Sequence, residues 1–172
     1  TGGYSPGRMA ARSKKAPVAV GDIVADTYRV DSMLGRGGMG VVVAAVHLDS
    51  GRRVALKMLT EVNTTTAERF AREARAAATL GGKRLPAVYQ VGQHAGVPFM
   101  ARELLQGEDL DRRLSRRGRF PVEEATDHLI EACAALAPAH INGFIHRDIK
   151  PANLFLVEHE GASPFIKLLD FG

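Results

Sequence analysis

Between Tyr28 and Lys57 the chain alternates apolar and polar positions in short β-branched runs. YRVDSML leads into a cluster of glycines, VVVAAVHL follows them, and RRVALKML comes after a turn at Asp49–Gly51. Alternation of period two, punctuated by glycine turns, predicts three antiparallel strands joined by hairpins. The period then changes. Phe70, Ala74, Ala77 and Leu80 recur at helical spacing up to a stop at Gly81-Gly82, and Thr65 with Glu68 fits a capping box at the start. Glu73 falls on the same face as Phe70 and Ala77, which places a carboxylate on the inward side of this helix.

Farther on, AVYQVGQ and VPFMARELL predict two more strands around the turn HAG. DLDRRLSRR predicts a short helix ended by Gly118, and a longer helix should run from Pro121 to about His140 with Asn142-Gly143 as its stop. Pro138 should kink the last turn of that helix, since it removes a backbone donor. Cys133, in an apolar helical stretch, is expected in the packed core. FIHRDIKPANLFLVE, the polar turn HEGASP and the strand FIKLLDFG close the chain. The fold class is α+β: five antiparallel strands with one helix, then helices and a small β-hairpin. Residues 22–102 and 108–172 form two lobes, joined by a hinge at 103–107.

Composition narrows the class. A chain of 172 residues with 45% hydrophobic content suits a single globular domain. No apolar run approaches the ~18 residues of a membrane span, and no signal-peptide core is present, so a soluble, cytoplasmic domain is expected. With one cysteine, an internal disulfide framework and a cysteine zinc site are both excluded. The net charge of +4 arises from Arg8, Arg12, Lys14 and Lys15, because the rest of the chain is balanced. The basic excess therefore belongs to residues 1–21, a Gly/Pro/Ser/Ala-rich stretch expected to be a disordered tail, and nucleic-acid binding is not expected. The chain begins on Thr rather than Met and is read as a piece of a longer protein.

Chemistry enters at LGRGGMGVV, which holds Gly35-x-Gly37-x-x-Gly40 with Val42 two residues on. A dinucleotide fingerprint needs a helix after its glycines, and here a strand follows. A Walker loop needs Gly-Lys-Ser/Thr, which is absent. There remain a bare β-turn and a glycine hairpin whose N–H groups can approach phosphates. Lys57, alternating with apolar neighbours on the next strand, either ends an edge strand and snorkels to solvent with Glu73 solvated, or needs a counter-charge, for which Glu73 is the natural partner. In HRDIKPAN, Asp148 can orient a hydroxyl nucleophile and Lys150 can neutralise a transferring phosphoryl group. Asn153 offers a neutral oxygen suited to Mg²⁺, and Asp170 a charged one. A charged surface turn would account for any three of these residues, but poorly for the whole ordered set.

In order, Gly35-x-Gly37-x-x-Gly40-x-Val42, Val54-Ala55-Leu56-Lys57, Glu73, His146-Arg147-Asp148…Asn153 and Asp170-Phe171-Gly172 resemble the signature set of eukaryotic-type protein kinases. Lys150 resembles the serine/threonine branch, and GRGGMG is similar to bacterial members. The resemblance implies an ATP- and Mg²⁺-dependent enzyme that phosphorylates Ser/Thr hydroxyls of a protein substrate. Leu34, Gly35, Gly37, Gly40, Val42, Ala55, Glu103 and Leu105 would then surround the nucleotide. Lys57, paired with Glu73, would hold its phosphates, Asp148 and Lys150 would serve catalysis, and Asn153 and Asp170 would bind the metal. The resemblance also implies that Arg147 pairs with a phosphorylated activation loop, while His140 and His146 read as structural.

Three features depart from the family. Arg102 stands where an apolar residue usually lines the adenine pocket, so it either points away or makes the pocket atypical. Pro138 interrupts a helix normally kept intact. Nothing follows Gly172, so the chain is read as an N-terminal part of a kinase domain, inactive on its own, with Leu129, Leu136 and Phe171 left short of packing. The alternative is a non-catalytic nucleotide-binding or interaction module.

Overall fold

The computed structural model describes residues 17–38, 40–158, 161 and 163–171. Most of the expected tail (1–16) and Gly172 lie outside the described residues. Nine strands and three α-helices are found among the described residues. β1 (Ile23–Val24), β2 (Tyr28–Arg36), β3 (Gly40–His47) and β4 (Arg53–Leu59) precede α1 (Thr64–Leu80), and β5 (Val88–His94) and β6 (Val97–Glu103) follow it. These strands form one antiparallel sheet in the order β1-β2-β3-β4-β6-β5. The sheet thus has the five expected strands and a sixth, β1, too short to show as an alternation. The tail boundary also moves: Val18 is buried in the core under β1 and β2, and Gly21 N–H donates to the Val30 carbonyl at 2.9 Å. One apolar side chain with a cavity to fill is enough to order the segment that composition alone assigns to solvent.

Alternation decides what each face of the sheet carries. Val41, Val43 and Ala45 on β3, Val54, Leu56 and Met58 on β4, and Phe99 and Ala101 on β6 enter one core. The intervening residues face the other way, so Val42 pairs with Lys57, Ala44 with Ala55, and Ala55 with Arg102 on a common surface. α1 covers part of that surface through Phe70, which packs with Leu59 and Met100. Its cap differs from the expected one. Asn63 accepts from Thr66 N–H at 3.0 Å while Asn63 N–H donates to Thr66 Oγ1 at 3.0 Å. A threonine at the third helical position takes the part expected of Glu68, and the helix begins two residues earlier.

After β6 the chain forms β7 (Gly107–Asp109), α2 (Leu110–Arg117) and α3 (Val122–Ile141), then β8 (Leu154–Val157) and β9 (Phe165–Leu168). β7 adds to the expected hairpin and makes a three-stranded sheet, β7-β8-β9. Gly107 permits it: φ is 125°, and a Cβ there would lie 2.1 Å from the Leu156 carbonyl oxygen. A second core, with Ala132, Ala135 and Ala139 of α3 against Leu154, Leu156, Ile166 and Leu168, also takes in Ala76 of α1, Leu85 and Phe171. Phe171 is therefore buried, contrary to expectation, because α1 and the α3–β9 core enclose it. Leu136 is half-buried in the same core, whereas Leu129 and Ile130 are 64% and 60% exposed. Cys133 is exposed too, one residue past buried Ala132 and so turned off the packed face of α3. α3 continues through Pro138 to Ile141, where the Asn142 side-chain amide donates to the Pro138 carbonyl at 2.8 Å.

Candidate active site

The turn between β2 and β3 is closed by Gly37 N–H donating to the Gly40 carbonyl at 2.9 Å. Two kinds of glycine build it. A Cβ on Gly40 would sit 2.1 Å from the Met58 carbonyl oxygen, so only glycine lets β3 start against β4. At Gly35, Gly37 and Gly38 a Cβ would meet nothing within 4 Å, and Gly37 and Gly38 border a cavity. That cavity, of about 650 Å³, is lined by Gly37, Gly38, Gly40, Val42, Lys57, Arg147, Asp148, Lys150, Asn153 and Asp170. Beside it lies a cleft of about 260 Å³ walled by Leu34, Gly35, Val42, Ala55, Arg102, Glu103, Leu105, Phe155 and Leu169, with Val42 and Asp170 common to both. Every expected site residue except Glu73 therefore lines one of two adjoining spaces.

Glu73 stands behind them. Lys57 Nζ donates to Glu73 Oε2 at 2.7 Å and to Asp170 Oδ1 at 2.7 Å. Arg102 Nη1 donates to the other Glu73 oxygen, Oε1, at 3.1 Å and to Asp170 Oδ1 at 3.2 Å. Two cations and two carboxylates thus alternate around a closed ring, and Lys57, Glu73 and Arg102 are 5%, 6% and 8% exposed. Arg102 points into the site, so the pocket is atypical. Burial pushes the Glu73 carboxyl above its ordinary value, against the pull of Lys57. Burial pushes Asp170 the same way, yet Lys57 and Arg102 together outweigh it and hold that carboxyl well below the usual carboxylate range.

The loop after α3 supplies the opposite wall. Lys150 Nζ donates to Asp148 Oδ2 at 2.8 Å, and the Asn153 side-chain amide donates to Asp148 Oδ2 at 2.9 Å and to the Asp148 carbonyl at 2.8 Å. The hydrogen bond from Lys150, with that from Asn153, lowers the Asp148 carboxyl and keeps it charged. Because Asn153 spends its nitrogen on Asp148, its oxygen is the atom free to meet a hard cation. Arg147 and Asp170 adopt left-handed backbone, with φ of 63° and 51°. Non-glycine residues take this region at a cost, and it persists where surrounding contacts hold it. His146 supplies part of that hold: its Nε2 lies 2.8 Å from the Leu169 carbonyl and its ring centroid 4.7 Å from that of Phe171. The structural reading of His146 agrees with its burial.

The sequence profile described as protein kinase domain matches residues 28–172. The chain belongs to the protein kinase family. It is 37% identical over 157 residues to a probable serine/threonine-protein kinase, PknB, of Corynebacterium glutamicum, covering 87% of this chain and 24% of that protein. To the serine/threonine-protein kinase Pkn1 of Myxococcus xanthus it is 36% identical over 149 residues, covering 85% of this chain and 21% of that protein. The crystal structure of the Mycobacterium tuberculosis PknI kinase domain superposes with a TM-score of 0.74 at 31% identity, over 90% of this chain and 62% of that one. The chain thus spans about a quarter of the length of these curated relatives. Among the described residues of this chain no helix is long and apolar enough to cross a membrane.

The sequence pattern does not single out several residues in and beside these two spaces. Phe155 and Leu169 close the floor of the smaller cleft. Lys167 is buried and paired with Glu103, whose Oε2 also accepts from Ala87 N–H at 3.1 Å. A lysine flanked by Ile166 and Leu168 was the available signal, but its partner lies 64 residues away. Among the described residues, no group of three or more His, Cys, Asp or Glu side chains could hold a metal ion. Asn153 and Asp170 offer oxygens to one cavity, which fits a hard divalent ion only if a ligand's oxygens and water complete its shell.

Proposed function

We propose that this chain carries the nucleotide-binding and phosphoryl-transfer residues of a serine/threonine protein kinase. The observation that supports it most is the Lys57 ammonium, fixed by Glu73 and Asp170 at the wall of the same cavity that Asp148, Lys150 and Asn153 line beneath the glycine turn. In this reading residues 22–102 bind ATP, 103–107 are the hinge, and 108–172 carry the catalytic loop.

The adenine lies in the smaller cleft between Val42 and Ala55 on one side and Phe155 and Leu169 on the other. Glu103 N–H is already donated to the Ala87 carbonyl at 2.8 Å, so Glu103 offers its carbonyl to the base edge and Leu105 its N–H. The phosphates extend under Gly35, Gly37 and Gly40 toward Lys57. Asn153 and Asp170 would hold a Mg²⁺, which when bound would supply positive charge to the phosphate oxygens. Asp148, its carboxyl lowered by Lys150, is a weak base at neutral pH. It accepts a hydrogen bond from the substrate Ser/Thr hydroxyl and orients it. Lys150 lies within reach of the same carboxylate and offsets charge that builds on the transferring phosphoryl group.

The test is titration of the chain with a fluorescent ATP analogue, with and without Mg²⁺, beside Asp148→Asn and Asp170→Asn. Binding that strengthens with Mg²⁺, survives Asp148→Asn and loses its metal dependence in Asp170→Asn supports the reading. Binding indifferent to both Mg²⁺ and Asp170→Asn overturns it. In the complete parent protein, Mg²⁺-dependent binding without any phosphotransfer would favour the non-catalytic module.

A further inference from the structure

Lys57 and Arg102 reach Glu73 from neighbouring strands. On β4 and β6, Ala55 is paired with Arg102 and Lys57 with Met100, so Arg102 is the diagonal cross-strand neighbour of Lys57 on the same face. Their shares of Glu73 do not overlap: Lys57 takes Oε2 and Arg102 takes Oε1. Glu73 is the buried charge of α1 and, with Phe70 and Ala76, one of its three buried residues. A buried carboxylate stripped of its counter-charge is strongly unfavourable, so whatever holds Glu73 also holds α1 against the sheet.

We propose that Arg102 is a positioning residue that fastens α1 through Glu73 independently of Lys57. Glu73 then stays inward when an anionic ligand draws the Lys57 ammonium away. Arginine suits the task because it stays charged under all conditions the protein meets and its planar fork can bridge two acceptors. Arg102 Nη1 does bridge two, Glu73 Oε1 and Asp170 Oδ1. With one cation, ligand phosphates and Glu73 would compete for the same ammonium. With two, Lys57 can turn to the phosphates while Arg102 keeps Glu73 neutralised. The ligand part of this inference rests on the nucleotide-binding reading above; the ligand-free part does not.

Hydrogen exchange of α1 amides tests it, with β3 and β4 amides as internal reference. Without ligand, Lys57→Met should leave α1 protection within a few-fold of the parent chain, and Lys57→Met combined with Arg102→Met should speed exchange by about tenfold or more. Equal loss in Lys57→Met alone and in the double variant overturns the proposal. With a saturating non-hydrolysable ATP analogue and Mg²⁺, Arg102→Met should exchange faster in α1 than its own ligand-free form, the parent chain should not, and Arg102→Lys should restore the parent behaviour. Ligand-induced exchange equal in the parent chain and Arg102→Met also overturns it. If the β3 and β4 reference amides lose protection in an Arg102→Met variant, Arg102→Gln, which keeps amide donors without charge, replaces it. Failure of the parent chain to bind the analogue removes the nucleotide-binding reading, and the ligand-free comparison still decides the role of Arg102.

Discussion

Lys57 Nζ stands 2.7 Å from Asp170 Oδ1, joining β4 to the segment just past β9 across 113 residues of sequence. The same nitrogen holds Glu73 of α1, so one ammonium ties the first sheet, its helix and the end of β9 together. Lys57→Met removes that tie but leaves Arg102 on both carboxylates. The stability loss should therefore be about 1–2 kcal/mol, below the roughly 3–5 kcal/mol of a buried charge left with no partner. Urea unfolding reads the loss, and titration with an ATP analogue should show affinity down by about tenfold or more as a charge-assisted contact disappears.

The glycine turn should separate structural from ligand-facing positions. Gly40→Ala drives a methyl group into the Met58 carbonyl and should destabilise the chain by about 1–3 kcal/mol. Gly37→Ala meets open space, and its stability should change by no more than about 0.5 kcal/mol. Thermal melts of the two variants side by side check this; equal melting temperatures would contradict the close approach at Gly40.

His146 should make stability depend on pH. Burial lowers its imidazole from the ordinary 6.5. Nε2–H donates to the Leu169 carbonyl while Nδ1 accepts from Asp148 N–H at 3.3 Å, a pair of contacts that only the neutral ring can make. A folded-state value below the unfolded one means the stabilisation is present above pH 6.5 and is lost as pH falls through the folded value. Urea midpoints should drop between pH 7.5 and pH 5.5, and His146→Gln should flatten that drop while lowering the midpoint at pH 7.5.

Cys133 is exposed on α3 and should react with a thiol reagent in the native chain, at a rate close to that in urea. Cys133→Ser should then change stability by no more than about 0.5 kcal/mol. Protection of the thiol until unfolding would return it to the core.

Much of the molecule was legible because its signals are local. Alternation located β2 to β6, helical spacing placed Glu73 inward, and Gly118 ended α2. Two of the failures, Val18 and Phe171, share one cause, which is that the partner is remote. Val18 finds its place only once β1 and β2 have formed a surface to pack on. Phe171 is enclosed by α1 and by the α3–β9 core, which meet only in the folded chain. The Thr65–Glu68 cap failed for a different reason: Asn63 with Thr66 caps the helix two residues earlier.

By itself the sequence determined the alternating faces, a glycine turn between two strands, and an ordered set of acid, base and amide residues specific to protein kinases. Only the tertiary structure decided where Arg102 points. The register of β4 and β6 places it on the face of Lys57, but whether a charge there turns to solvent or inward depends on finding counter-charges. Those are Glu73 and Asp170, delivered by a helix and a strand end 29 and 68 residues away. Charge pairing across such distances is a property of the assembled fold, because desolvating the arginine is tolerable only after both carboxylates have arrived.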